Sequence, residues 1–307
     1  MRKPRALEKG DRIAIVAPAS SAASAEIEAG VAQLNALGFQ PQHEPSLFDR
    51  DRYTAGSPET RADALRRTWQ DPEIKAIIAA RGGYGSVQLL PLLDPTEFAG
   101  TPKPFIGYSD NTSLLSWLTL RAGVVSFHGP MIEGRFARGP VAYDADTFER
   151  CLMRAQPMGD ITHDQLQVVR AGDASGMLLG GTMTQLAGSL GTPYAFDPPQ
   201  GCILFFDEVG ERPYRVDRLF TQLAQAGVIA RASAIVFGEM PRCDEPAGTP
   251  AIREVVGDLT RNFPGPVLFG LPSGHTSGAT LTLPFGVRAR VVADGRPLLV
   301  IEESAVE

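Results

Sequence analysis

Three times within the first 120 residues, a short apolar run gives way to a turn rich in Gly, Pro or Ser and then to apolar residues at helical spacing. Ile13-Ala-Ile-Val-Ala17 is followed by Pro18 and a Ser/Ala stretch, then by Ile27, Val31, Leu34 and Leu37 up to a stop at Gly38. Ile74 to Ala79 leads through Gly82-Gly83-Tyr84-Gly85 into a helix over Ser86–Leu93, and Phe105-Ile106-Gly107 enters a helix over Thr112–Leu120. A helix over Ala62–Trp69 and a strand over Val124–Phe127 extend the pattern. Strands that are apolar on both faces need cover on both faces. The alternation therefore predicts parallel strands joined by crossover helices, an α/β, Rossmann-like N-terminal domain.

The pattern stops after one more helix, Ala145–Arg154. The polar, turn-rich segment 157–175 reads as a linker. From Gly176 onward the apolar runs are short, with one clear helix over Val216–Ala226. At about 150 residues per domain, the 307 residues divide into an α/β domain over 1–156, the linker 157–175, and a strand-rich mixed domain over 176–307. With 32 Gly and 25 Pro, turns are unusually numerous, so loops are where function is expected.

A net charge of −6 and the lack of any basic run argue against a nucleic-acid or anionic-membrane partner. Cys151, Cys202 and Cys243 have no C-x-x-C spacing and no neighbouring histidine cluster, so neither a disulfide framework nor a zinc site is expected; no cofactor is expected either. Glu8, Asp11 and Arg12 fall where an export signal needs an apolar segment, and no apolar stretch approaches the ~20 residues that span a bilayer. A cytoplasmic enzyme is the expectation. Arg81-Gly-Gly-Tyr-Gly85 lacks the lysine of a P-loop and the full G-x-G-x-x-G of a dinucleotide site. Its better use is backbone N–H donation to a developing oxyanion.

The segment most suggestive of chemistry is Phe105-Ile-Gly-Tyr-Ser109-Asp110, where an apolar strand turns abruptly into a helix with a serine at the apex. A nucleophile elbow has this form, although Asn111 stands where G-x-S-x-G has its second glycine. A simple helix cap by Ser109 or Asp110 is the competing account. A serine needs a base, and there are four histidines: His43 in a polar loop, His163 in the linker, His128 just after a strand, and His275 in the Gly-bracketed loop Pro272-Ser-Gly-His-Thr-Ser-Gly278. His275 and His128 are the better placed. An acid to orient the imidazole is best supplied where the apolar run Ile203 to Phe206 ends in Asp207 and Glu208.

Taken together, Ile15-Val-Ala-Pro-Ala-Ser20, Ala80-Arg-Gly-Gly-Tyr-Gly85, Gly107-Tyr-Ser-Asp110, Phe127-His-Gly-Pro-Met131, Gly180-Gly-Thr-Met, Gly191-Thr-Pro193, the run Val209 to Arg218, and Gly274-His275 resemble the LD-carboxypeptidases. That serine peptidase family includes muramoyltetrapeptide carboxypeptidases and microcin C7 self-immunity proteins. The resemblance implies two domains with the active site between them, a metal-free cytoplasmic homodimer, and a Ser–Glu–His triad. It also implies cleavage of the amide between an L-centre, the side of lysine or diaminopimelate, and a terminal D-alanine. Carried over by motif, the nucleophile is Ser109, the base is His275, and the oxyanion donors are the N–H groups of Gly83 and Asp110.

Two positions depart from the family. Asp207 stands where the family usually has the triad glutamate, with Glu208 as the alternative acid. A one-residue shift to Glu208 would turn it to the opposite face of the strand unless a bulge intervened, which favours Asp207. Thr182 replaces the usual Asn after Gly-Gly and puts substrate contacts in that turn in doubt. The leading expectation is a carboxypeptidase for murein tetrapeptides in peptidoglycan recycling. A peptidyl-nucleotide hydrolase of the same family and, from another class, a two-lobed substrate-binding protein are the alternatives.

Overall fold

A computed structural model describes residues 1–307. Five strands in the first half, β1 (Arg12–Val16), β2 (Gln40–Gln42), β3 (Ile74–Ala79), β4 (Phe105–Gly107) and β5 (Ser126–His128), are mutually parallel. The remaining strands are β6 (Gly159–Ile161), β7 (Gln167–Arg170), β8 (Asp173–Thr182), β9 (Cys202–Asp207), β10 (Ala232–Gly238), β11 (Val267–Leu271), β12 (Leu283–Phe285), β13 (Arg288–Val292) and β14 (Leu298–Ile301). The first sheet has the order β12-β5-β4-β3-β1-β2, and β12 returns late in the chain to pair antiparallel with β5. The second, β6-β14-β13-β8-β9-β10-β11-β7, is mixed, with a parallel centre from β8 to β11 and antiparallel flanks. This is the α/β class with a strand-rich second half that the hydrophobic pattern predicts.

The structure departs from the sequence reading in several places, among them β12, which lies within the expected strand-rich domain but joins the first sheet. Segment 157–175 is not bare linker: β6, β7 and the start of β8 lie in it and pair with the second sheet. Its strands are short and lie on the sheet margins, exposed or half-buried except at Ile161, so they carry no long apolar run. Residues Ser86–Leu92 form 3₁₀ turns rather than an α-helix, because Pro91 offers no N–H to continue one. The second half has helices over Met183–Gly188 and Ile252–Leu259 as well as Pro213–Gln225, the first two being too short for a strong periodic signal.

Period-two alternation in the central strands decides which way the second sheet faces. Ile203 and Phe205 of β9, with Ala234 and Val236 of β10, join the large core shared with the first sheet. Leu204 and Phe206, with Ile235 and Phe237, pack instead beneath Val216, Phe220 and Leu223 of helix Pro213–Gln225. One face of β9 therefore looks toward the first sheet and the other toward helices. No helix is long and apolar enough to cross a membrane.

Candidate active site

The carboxyl ends of β3 and β4 and those of β8, β9 and β11 open into the same region, where loops of the two sheets meet. Thr182 N–H donates to Thr112 Oγ1 at 3.0 Å, and Gln185 Nε2 to Asp110 Oδ1 at 3.1 Å. Carboxyl edges of parallel strands are where α/β folds place ligands.

Ser109 sits at the apex of the turn out of β4 with φ +62°, a left-handed conformation that costs a non-glycine residue about 1 kcal/mol or more. Neither Ser109 nor Asp110 caps the following helix: no side-chain cap bond forms at its start. The Asp110 carboxylate is instead committed to Ser86 N–H at 2.8 Å and to Gln185, leaving its backbone N–H as the group it can offer a substrate. Gly82 lies against the serine so closely that a Cβ there would come within 2.8 Å of Ser109 Cβ and 3.0 Å of Oγ. Sequence reasoning picked out Gly83 in this loop, which at φ +100° is packed against Ser20, and missed Gly82, the glycine that lies against Ser109. The Gly83 N–H makes no hydrogen bond within the chain, while Ser20 Oγ fixes the loop by accepting from Tyr84 N–H at 3.2 Å.

Across the gap, His275 Nδ1 lies 2.7 Å from Asp207 Oδ2, and His275 backbone N–H donates to Asp207 Oδ1 at 3.1 Å. The carboxylate can accept only an Nδ1–H, so the tautomer that leaves Nε2 free to take a proton is the one selected. Burial alone would lower the imidazole's pKa; the charge and hydrogen bond of Asp207 override it and hold it above the ordinary histidine value. The His275 ring meets Tyr108, the residue before Ser109, edge-on at 5.1 Å between centroids. Gly274 makes this approach possible, since at φ +78° a Cβ would fall 2.5 Å from Asp207 Oδ2 and 2.6 Å from the His128 ring. Thr182, which follows Gly180-Gly181, pairs in register with Asp207 and donates its hydroxyl to Oδ2 at 3.4 Å.

Glu208 is not part of this pair. Strand alternation turns it to the helical side, where Oε2 accepts from Thr184 N–H at 3.0 Å and Thr184 Oγ1 at 2.8 Å, and burial raises its pKa. His43 and His163 are exposed loop residues; His43 lines a separate cavity of about 450 Å³ between β1 and helix Pro58–Gln70. His128 is fully buried, with Nδ1 2.9 Å from Ser273 Oγ and Nε2 without a partner. Burial pulls its pKa down to about 4, so it stays neutral beneath the histidine loop. Its folded pKa lies below the unfolded one, so stability is lost as pH falls from about 6.5 to 4. Chemical denaturation should show a loss of about 3 kcal/mol over that window that largely disappears in His128→Gln.

Comparison with known proteins identifies the family. Residues 13–129 match the LD-carboxypeptidase N-terminal domain and residues 175–291 the LD-carboxypeptidase C-terminal domain. The murein tetrapeptide carboxypeptidase of Pseudomonas aeruginosa is 34% identical over 272 residues, covering 86% of this chain and 88% of that protein. The structure of muramoyltetrapeptide carboxypeptidase from Oxalobacter formigenes superposes with TM-score 0.83 at 30% identity, over 94% of this chain and 97% of the other. Microcin C7 self immunity protein MccF in its apo state gives TM-score 0.92 at 26% identity over the whole of both chains. The chain belongs to the LD-carboxypeptidase family. It is a serine-type carboxypeptidase, a hydrolase rather than a two-lobed binding protein.

Proposed function

We propose that Ser109, His275 and Asp207 form the catalytic triad of an enzyme that removes terminal D-alanine from murein tetrapeptides. The observation carrying this reading is the meeting of the strained Ser109 elbow on one sheet with the Asp207–His275 pair on the other. Ser109 Oγ attacks the carbonyl carbon of the scissile amide while His275 Nε2 takes its proton. The tetrahedral oxyanion is met by the N–H groups of Gly83 and Asp110. His275 then returns the proton to the departing amine, D-alanine leaves, and water, deprotonated by the same imidazole, hydrolyses the acyl-serine. Asp207 holds the ring and stabilises its charged form.

The fold's likeness to MccF supports a second reading, a peptidyl-nucleotide substrate. One assay separates them: D-alanine release from a diaminopimelate- or lysine-containing tetrapeptide against hydrolysis of a peptidyl adenylate. Preferred turnover of the adenylate would overturn the murein reading. In either case kcat/KM should rise with pH along a limb set above 6.5, because the base titrates above an ordinary imidazole. We further propose a cytoplasmic homodimer acting on a small peptide without nucleic acid or membrane, to be checked by fractionation and sedimentation.

A further inference from the structure

Arg135 occupies the junction of the two sheets, 7% exposed, and no motif in the sequence marks it. A guanidinium has five N–H donors, and here every one has an oxygen. Nε donates to Tyr108 Oη at 3.2 Å; Nη1 donates to the carbonyls of Gly278 at 3.0 Å and Ala142 at 3.3 Å; Nη2 donates to those of Gly274 at 2.8 Å and Thr276 at 3.2 Å. Three of the four carbonyls belong to the loop that carries His275. The phenol belongs to the residue preceding Ser109, and the cation also lies 5.7 Å from the centre of that ring.

We propose that Arg135 is a positioning residue, which ties the His275 loop to the Ser109 elbow and so sets the distance between base and nucleophile. Burying a cation without a carboxylate partner is costly unless fixed dipoles replace its water, and Arg135 makes no ion pair. Its donors are all engaged inside the protein, which leaves none for substrate. Asp207 holds His275 itself through its backbone N–H and Nδ1. The rest of the loop is tied by Gly274 N–H to Thr280 Oγ1 at 2.9 Å and by Glu239, which accepts from Thr276 Oγ1 and Ser277 N–H, whereas Arg135 alone links the loop to Tyr108 by hydrogen bonds. Lysine cannot substitute, because a point-like ammonium cannot span five oxygens in a planar fork.

The same cation acts on His275 through its field. The imidazole faces Asp207 at the end of β9, Arg135 and Tyr108 from the first half, and His128 beneath, with the charges of Glu208 on the far side of β9 and Glu239 in contact with its own loop. Among these Arg135 opposes protonation. Removing its charge should therefore shift the pH limb upward.

The proposal rests on Ser109 and His275 being nucleophile and base, and the test separates the two claims. Arg135→Met and Arg135→Lys are assayed on the tetrapeptide beside Ser109→Ala, with thermal melts for each. A misplaced catalytic group costs on the order of 10²-fold, so both Arg135 variants should lose about that much kcat with KM within about threefold. The limb of kcat/KM should move to higher pH in Arg135→Met but not in Arg135→Lys. Hydrogen exchange of amides 274–278 should quicken in both. If Arg135→Met does not fold, Arg135→Lys decides alone: kcat within about threefold of wild type overturns the proposal. An inactive Ser109→Ala beside near-normal Arg135 variants overturns the positioning role only. An active Ser109→Ala overturns the underlying mechanism instead.

Discussion

Ser109→Ala is expected to lower kcat by about 10⁴-fold or more, the loss typical when a serine triad is broken, while the melting temperature and tetrapeptide affinity change little. The hydroxyl fills no core cavity and makes no hydrogen bond that the fold depends on, so its removal deletes the covalent step and little else. The backbone offers a second, independent check. At φ +62° both serine and alanine carry a Cβ into a left-handed conformation, so the strain persists in Ser109→Ala and is relieved in Ser109→Gly. Both variants should be inactive, and Ser109→Gly should melt at or above Ser109→Ala. Residual kcat above about a hundredth of wild type in either would exclude a serine mechanism on the scale of typical triad losses.

How much of this site could be read in advance depended on the kind of signal each residue leaves. The centre of the first sheet was legible because β1, β3 and β4 are largely buried and read as mostly apolar runs, whereas β2, Gln-Pro-Gln at the sheet edge, carries no such signal. Which of the two acids faces His275 was legible from period-two alternation: Asp207 follows Ile203 and Phe205 and Glu208 turns away. The elbow was legible as an apolar strand ending in serine, although its positive φ was not, since serine gives no sign of a left-handed backbone in the sequence. Segment 157–175 was misread because marginal strands alternate weakly and look like turns. Arg135 was invisible for a different reason. Four of its five partners are backbone carbonyls, which any residue supplies, and its Tyr108 partner lies 27 positions away.

The departure at the acid leads to the second large effect. Asp207→Asn should cut kcat by roughly 10²–10⁴, because an amide can donate to Nδ1 and stabilise the tautomer whose proton sits on the wrong nitrogen. It also removes the charge that holds the imidazole above its ordinary range, so what activity survives should follow a pH limb shifted to lower values. Asp207→Glu restores the carboxylate usual in the family but adds a methylene in a place without room for one. Asp207 is fully buried, and its Oδ2 already contacts His275 Nδ1 at 2.7 Å and Thr182 Oγ1 at 3.4 Å, with Gly274 pressed against it. That variant should be slower than wild type yet faster than Asp207→Asn. Glu208→Gln should keep most of the activity and lose some stability, since Glu208 holds Thr184 at the start of helix Met183–Gly188 rather than the base. Melting curves accompany each assay, because Asp207 also anchors the His275 backbone N–H and a loosened loop would mimic a chemical defect. Should Glu208→Gln prove inactive and Asp207→Asn tolerant at equal stability, the working enzyme must rotate the end of β9 and present Glu208 to His275. The period-two argument that places Asp207 there would then fail at this strand end.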